Sequence, residues 1–155
     1  MSTPLSRSDR LAQRLALGIP AILLAGAYIS EYGFGLFPCE MCWWQRYPHF
    51  VAVALAFVSY TAPPKRVWIG LAALAIAVSG AIGVFHAGVE YGWWESPLGC
   101  TSTDPFSLEF VRCDEPAWTL MGISLAGFNA LLSIGSAVAI WILLLARDRQ
   151  IGEKA

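Results

Sequence analysis

Residues 47–85 read "YPHFVAVALAFVSYTAPPKRVWIGLAALAIAVSGAIGVF". Two long apolar runs flank a short polar turn whose only charges are Lys65 and Arg66. Neither run alternates as a half-buried strand does, and both are longer than a core strand. Runs of this kind belong in a bilayer, where a helix needs ~20 residues to cross the hydrocarbon core. The rest of the 155-residue chain agrees: 57% of it is hydrophobic and 14% charged, against roughly 25% charged in an ordinary globular protein. The charges gather at the termini and in short patches between uncharged stretches.

Working outward, the pattern gives four spans, at about 15–33, 44–62, 67–86 and 121–145. The expected fold is an all-α integral membrane protein, a single domain made of a four-helix transmembrane bundle. Gly18 and Pro20 in the first span would weaken a soluble helix, but membrane helices tolerate them. The first span follows Arg7, Arg10 and Arg14 like a signal peptide, yet no small-x-small cleavage site in polar context follows it, so it is read as retained. Of the ten lysines and arginines, eight lie before span 1, between spans 2 and 3 or after span 4. Only Arg46 and Arg112 fall on the other side. By the positive-inside rule both termini are cytoplasmic, and the loops at about 34–43 and 87–120 face outward. Trp43, Trp44, Trp93, Trp94 and Trp118 lie at the outer ends of the spans, where an aromatic belt belongs. Net charge is −1, with no basic stripe or nucleic-acid motif, so nucleic acid is not an expected partner.

All four cysteines, Cys39, Cys42, Cys100 and Cys113, lie in the two outward loops. Outside the cytoplasmic membrane disulfides form and persist, so two structural bridges are one reading. The C-x-x-C spacing of Cys39 and Cys42 favours another. Such a small ring constrains little unfolded-chain entropy, whereas the spacing suits a dithiol that cycles, because one thiolate can be depressed in pKa. A zinc ribbon would need a second C-x-x-C, but twelve residues lie between Cys100 and Cys113 and no histidine completes a familiar set. No metal is expected.

Arg46 falls one helical turn beyond Cys42, on the same face. A guanidinium there and a helix N-terminus both favour a thiolate. It sits within the stretch that span 2 needs for its length, and an ionisable residue at that depth marks a functional site by default. His86 follows a stripe of small residues, Ala75, Ser79, Gly83 and Ala87, that allows close helix packing. It therefore points toward the bundle, at the outer end of span 3. His49 is expected to be a packing or interfacial residue. Arg46 and His86 could donate hydrogen bonds to a carbonyl oxygen beside a cysteine sulfur, and a lipid-soluble electron acceptor would meet those groups first.

These residues resemble a known family. "CEMCWWQR" at 39–46 is similar to the C-x-[LM]-C-x-x-[QE]-R of the DsbB family, the membrane disulfide bond formation proteins of bacteria. "FHAGVEYGWWESPLGC" at 85–100 and "CDEPAWTLMGISLAGFN" at 113–129 extend the resemblance over most of the chain. It implies a thiol:quinone oxidoreductase of the bacterial inner membrane, with the cysteine loops in the periplasm. The implied partner is a soluble thioredoxin-like oxidase of the DsbA type, and the implied cofactor is a membrane quinone, ubiquinone or menaquinone. Cys100 would form the mixed disulfide with the partner, Cys113 would pass electrons to Cys39, and Cys42 would meet the quinone beside Arg46 and His86. A DsbA-type oxidase has a potential of about −120 mV, so a glutathione-like acceptor would run uphill and a quinone is a suitable sink. Cys113 lies five residues before Trp118, a tether of at most ~17 Å, and neighbouring helix axes are ~8–10 Å apart, so Cys113 can reach Cys39. The twelve residues between Cys100 and Cys113 are fewer than in the best-known members, which leaves room for a different or narrower partner. Other readings are a quinone-linked thiol oxidase resembling vitamin-K-epoxide reductase, an oxidase dedicated to one substrate, and a four-helix scaffold with structural disulfides.

Overall fold

The structure, a computed structural model, describes residues 5–97 and 112–152. Four helices follow one another: α1 at Arg7–Phe34, α2 at Glu40–Thr61, α3 at Lys65–Glu90 and α4 at Leu125–Gly152. Three of them contain stretches long and apolar enough to cross a membrane, Arg7–Phe34, Lys65–Glu90 and Leu125–Ala146. α2 is of similar length but carries Glu40 and Arg46 near its start.

Helix starts follow local chemistry rather than the apolar runs. Ser6 and Asp9 form a reciprocal capping box, so α1 begins eight residues before the expected span. α1 ends at Gly35, whose φ of 68° closes it in the left-handed conformation. Cys39 is the N-cap of α2, its sulfur accepting from the Cys42 N–H at 3.3 Å. The expected fourth span begins at 121, but α4 starts only at Leu125. Before it the chain makes a small antiparallel pair, β1 at Thr119–Leu120 and β2 at Ile123–Ser124, turning through Met121 and Gly122 at φ 52° and 79°. This pair departs from a strictly all-α fold. It is held to the end of α3: the Tyr91 hydroxyl donates to the Gly122 carbonyl at 2.7 Å and accepts from the Ser124 N–H, and the Ser124 hydroxyl donates to Glu90.

The bundle is packed on small residues. Ala12, Ala16, Ala52, Ala56, Ala72, Ala73 and Ala137 are buried around Ile69, Ile76 and Ile140, as expected where helices gain by close approach rather than by hiding apolar surface from water. Gly83 meets α4 directly: a Cβ there would lie 3.0 Å from both the Ala126 carbonyl oxygen and the Ala130 nitrogen. Large apolar side chains such as Ile22, Phe57, Leu131 and Leu145 point outward, so the outer surface is the greasy one. At one end Asp9 pairs with Arg66 at 3.3 Å, and Arg66 also donates to the Leu144 carbonyl. Cys39, Cys42 and Cys113 lie at the other end.

Candidate functional site

Three of the four expected cysteines come together at the N-terminus of α2. Cys39 and Cys42 are free thiols with their sulfurs 3.0 Å apart. Cys113, from the segment preceding α4, packs against Cys39, Met41 and Val89 and is buried. Its sulfur accepts first from the Cys39 thiol and then from the backbone N–H groups of Met41 and Glu40. These are the unpaired donors of the α2 N-terminus, where negative charge is favoured. They outweigh burial and hold the Cys113 thiol down at about 6. Cys39 shifts the opposite way: its hydrogen bonds to Cys113 and Cys42, together with burial, keep it protonated. The trio thus has a thiolate at Cys113 and a thiol at Cys39. Cys100 lies outside the described residues.

His86 stands against this cluster. Its Nδ1 accepts from the Gln45 side-chain amide at 2.8 Å, which leaves the proton on Nε2. Nε2 faces the Cys39 sulfur at 3.5 Å and the Glu90 carboxylate at 3.8 Å. The sulfurs of Cys39 and Cys42 and a His86 ring nitrogen all fall within 4.8 Å of one another. His86 therefore stands beside the pair. The group has three members, one short of a closed structural zinc site.

Arg46 is buried on the opposite side of Gln45. It forms a 2.6 Å ion pair with Glu31 of α1, donates to the Ala27 carbonyl, and lies over the rings of Tyr28 and Trp43 at 4.9 and 4.8 Å. A cavity of about 350 Å³ opens between α1, α2 and α4, with Cys42, Gln45, Arg46, His49 and Asn129 among its polar residues and Leu23, Leu36 and Phe128 among its apolar ones. Ligand pockets run from ~300 to 1,000 Å³ and are mostly apolar with a few placed polar groups. Cys42 and Arg46 share its wall, whereas His86 stands behind Gln45, against Cys39.

Comparisons with known proteins place the chain in a family. The family model "Disulfide bond formation protein DsbB" matches residues 9–143. The chain belongs to the DsbB family. Among its DsbB-family relatives, Disulfide bond formation protein B of Azoarcus sp. (strain BH72) is 31% identical over 83% of this chain and 88% of its own. The protein of the same name from Polaromonas sp. (strain JS666 / ATCC BAA-500) is 25% identical over 90% of this chain and 94% of its own. That from Shewanella sp. (strain MR-4) is 27% identical over 88% and 87%. No solved structure matches. As a DsbB-family member with several membrane-crossing helices, the chain is a multi-pass membrane protein with a disulfide oxidoreductase role.

Within this DsbB-family frame several residues were not anticipated from sequence. Asn129 of α4 donates to Gln45 Oε1 at 2.8 Å and accepts from His49 Nε2 at 2.9 Å. Gln45 thus connects two histidines through one amide pair. The signals that could have found Glu31 and Asn129 were present: Glu31 is the one charged residue in the first expected span, and Asn129 the one amide in the fourth.

Proposed function

We propose that this chain is a membrane thiol oxidase that reoxidises a soluble periplasmic DsbA-type oxidase and delivers the electrons to a membrane quinone. The reading takes all four helices as spans of the inner membrane, with both termini cytoplasmic and the cysteine loops periplasmic. The observation that carries it is the gathering of Cys113, Cys39 and Cys42 at one helix terminus, with Cys42 on the wall of a largely apolar cavity that also presents Arg46.

The chemistry starts from Cys39–Cys42 and Cys100–Cys113 disulfides. A partner thiolate attacks Cys100, forming a mixed disulfide and releasing Cys113 as a thiolate. Cys113, favoured as thiolate at the α2 N-terminus, attacks the Cys39 sulfur and releases Cys42. The partner's second thiol resolves the mixed disulfide and frees Cys100, which attacks Cys113 and restores the Cys100–Cys113 bond. Cys39 and Cys42 are left as a dithiol whose two electrons leave as their disulfide reforms. A quinone held in the cavity would supply the acceptor for those two electrons and two protons, leaving as hydroquinone, so that one partner dithiol is exchanged for one partner disulfide. The cavity fits such a head group by size and by donor chemistry: Arg46 offers N–H donors to a carbonyl oxygen, while Glu31 and the two aromatic rings fix its orientation. His86 serves the site from behind, through Gln45 and Cys39.

The test is purified protein mixed with a reduced DsbA-type partner and a short-tailed quinone. Wild type consumes quinone. Arg46→His lowers quinone consumption at limiting quinone about tenfold, since a charge-assisted hydrogen bond is worth about 1.5–3 kcal/mol and 1.4 kcal/mol is a factor of ten. Cys113→Ala accumulates a partner–Cys100 mixed disulfide visible on non-reducing gels. Absence of quinone consumption by wild type overturns the reading.

A further inference from the structure

Cys39 is attacked in the first exchange between the loops and must leave in the next. When Cys100 attacks Cys113 of a Cys39–Cys113 disulfide, the Cys100–Cys113 bond forms and the Cys113–Cys39 bond breaks. Cys39 departs with the electron pair as a thiolate and takes up the proton that Cys100 gave up, so the exchange consumes nothing. A thiol leaves faster the lower its pKa, so hydrogen-bond donors at the Cys39 sulfur govern this step. Two converge there. The Cys42 backbone N–H, at the N-terminus of α2, donates to the sulfur at 3.3 Å. The other candidate is His86 of α3, whose Nε2 lies 3.5 Å from it.

Whether Nε2 can donate depends on where the ring carries its proton, and two backbone carbonyls decide that. The Met41 carbonyl accepts from the Gln45 amide nitrogen at 3.3 Å, and the Ser79 carbonyl accepts from that of Asn129 at 3.2 Å. A carbonyl can only accept, so both amides are fixed. Gln45 turns its nitrogen to His86 Nδ1 and its oxygen to Asn129 Nδ2, each at 2.8 Å. Facing a donor, Nδ1 carries no proton, and the neutral ring is an N–H donor at Nε2. Gln45 also opposes an imidazolium, whose Nδ1–H would meet the amide hydrogens. The ring further meets the Cys113 backbone carbonyl, which keeps its N–H turned toward the cysteines. The Glu90 carboxylate is the other charged group facing Nε2, at 3.8 Å, too long for a hydrogen bond. Hydrogen bonds to an ionised acceptor are the stronger ones, so the N–H turns to the Cys39 sulfur as charge develops there.

We propose that His86 is a catalytic residue of the exchange between the loops, its Nε2–H stabilising the Cys39 thiolate as Cys100 displaces it from Cys113, with Gln45 as the positioning residue that keeps the proton on Nε2. The inference rests on the relay reading of the cysteines. It gives His86 work on the sulfur it touches and leaves the quinone to Arg46.

The test uses the full-length protein with Cys42→Ala, in detergent and oxidised to the Cys100–Cys113 disulfide, so that Cys39 is its one free thiol. Thiolate absorbance against pH, taken as a difference from the same protein with Cys39→Ala added, gives the Cys39 midpoint. His86→Leu is expected to raise that midpoint by about one pH unit, a tenfold weaker acid. His86→Gln retains an N–H donor and is expected to restore most of the loss. Gln45→Met should raise the midpoint with His86 still in place, and the ¹⁵N resonances of His86 should then show part of the proton moved from Nε2 to Nδ1, which looser packing alone would not produce. In the Cys42→Ala protein itself, the His86 Nε2–H proton resonance should move downfield through the Cys39 titration, a readout that needs no further variant to fold. With all four cysteines present and a reduced DsbA-type partner, His86→Leu should accumulate the Cys39–Cys113 disulfide severalfold while its Kd for a short-tailed quinone stays that of wild type. A Cys39 midpoint unmoved by His86→Leu, an Nε2–H resonance indifferent to the titration, or a loss of quinone affinity in His86→Leu overturns the assignment. If wild type passes electrons from partner to quinone and only the His86 results fail, the assignment alone falls. If wild type passes none, the relay reading falls and the assignment with it.

Discussion

At Cys113 a loop residue acquires chemistry from a helix it does not belong to. The C-x-x-C pair and Arg46 were legible in the sequence because their spacing lies within one helix, where geometry follows from residue number. That Cys113 would lie against Cys39 was expected only as something a tether allowed. That it would accept from the Met41 and Glu40 N–H groups was not legible, since nothing in the loop sequence encodes the approach. Glu31 stands out as a lone charge in an apolar span, but that it would pair with Arg46, fifteen residues on and in another helix, was not legible. The consequence is measurable in the fully reduced protein. The ultraviolet thiolate absorbance of wild type minus Cys113→Ala should rise with a midpoint near pH 6. In Cys39→Ala, which removes the largest cause of the shift, the midpoint should move up toward the ordinary thiol value of ~8.5. The linkage has the sign of a depressed acid: the folded state binds fewer protons between the two values. The stabilisation by Cys113 is thus complete above the ordinary thiol pKa and is lost as pH falls through about 6.

At the scale of elements, the small-residue stripe on α3 was readable because its period is that of one helix face. Which helix it would meet was not, because a stripe carries no address. The structure sets it against α4, with Gly83 facing Ala126 and Ala130 and Gly80 facing Ser133 and Ile134. The helix limits differ from the expected spans for a related reason: hydropathy marks the part of a helix suited to lipid, while capping by Ser6 and Cys39 decides where the helix begins. The pair at 119–124 escapes any periodicity argument, since two-residue strands are too short to show a period. Substituting glycines separates packing from propensity. Gly18 has nothing within 4 Å of a new Cβ, so Gly18→Ala should be neutral or stabilising by up to ~1 kcal/mol through helix propensity. At Gly83 the nearest atoms are backbone, at 3.0 Å, and cannot rotate away. Gly83→Ala should therefore destabilise the protein by about 1–3 kcal/mol despite the same gain in propensity. Thermal or denaturant unfolding in one detergent, with both variants side by side, reads the difference.

At the scale of the whole molecule, the two ends of the bundle do different work. One end is closed by the Asp9–Arg66 pair and the Arg66 bond to Leu144. The other carries the cysteine cluster, the Arg46–Glu31 pair and the cavity. Eight of ten basic residues lie at the first end or beyond it along the chain, and the positive-inside rule turns that inequality into an orientation. The proposed relay depends on that orientation, because a site fed by secreted proteins must open to the outside, where disulfides persist. Single cysteines placed in a cysteine-free background test it: Lys65→Cys at the α2–α3 turn and Glu95→Cys beyond α3. In intact spheroplasts a membrane-impermeant maleimide should label Glu95→Cys and leave Lys65→Cys untouched until the membrane is permeabilised. The reverse pattern would place the cysteine cluster in the reducing compartment. There the Cys39–Cys42 pair would be kept as a dithiol by the thiol pool, and the proposed direction of electron flow would have no donor from the secretory side.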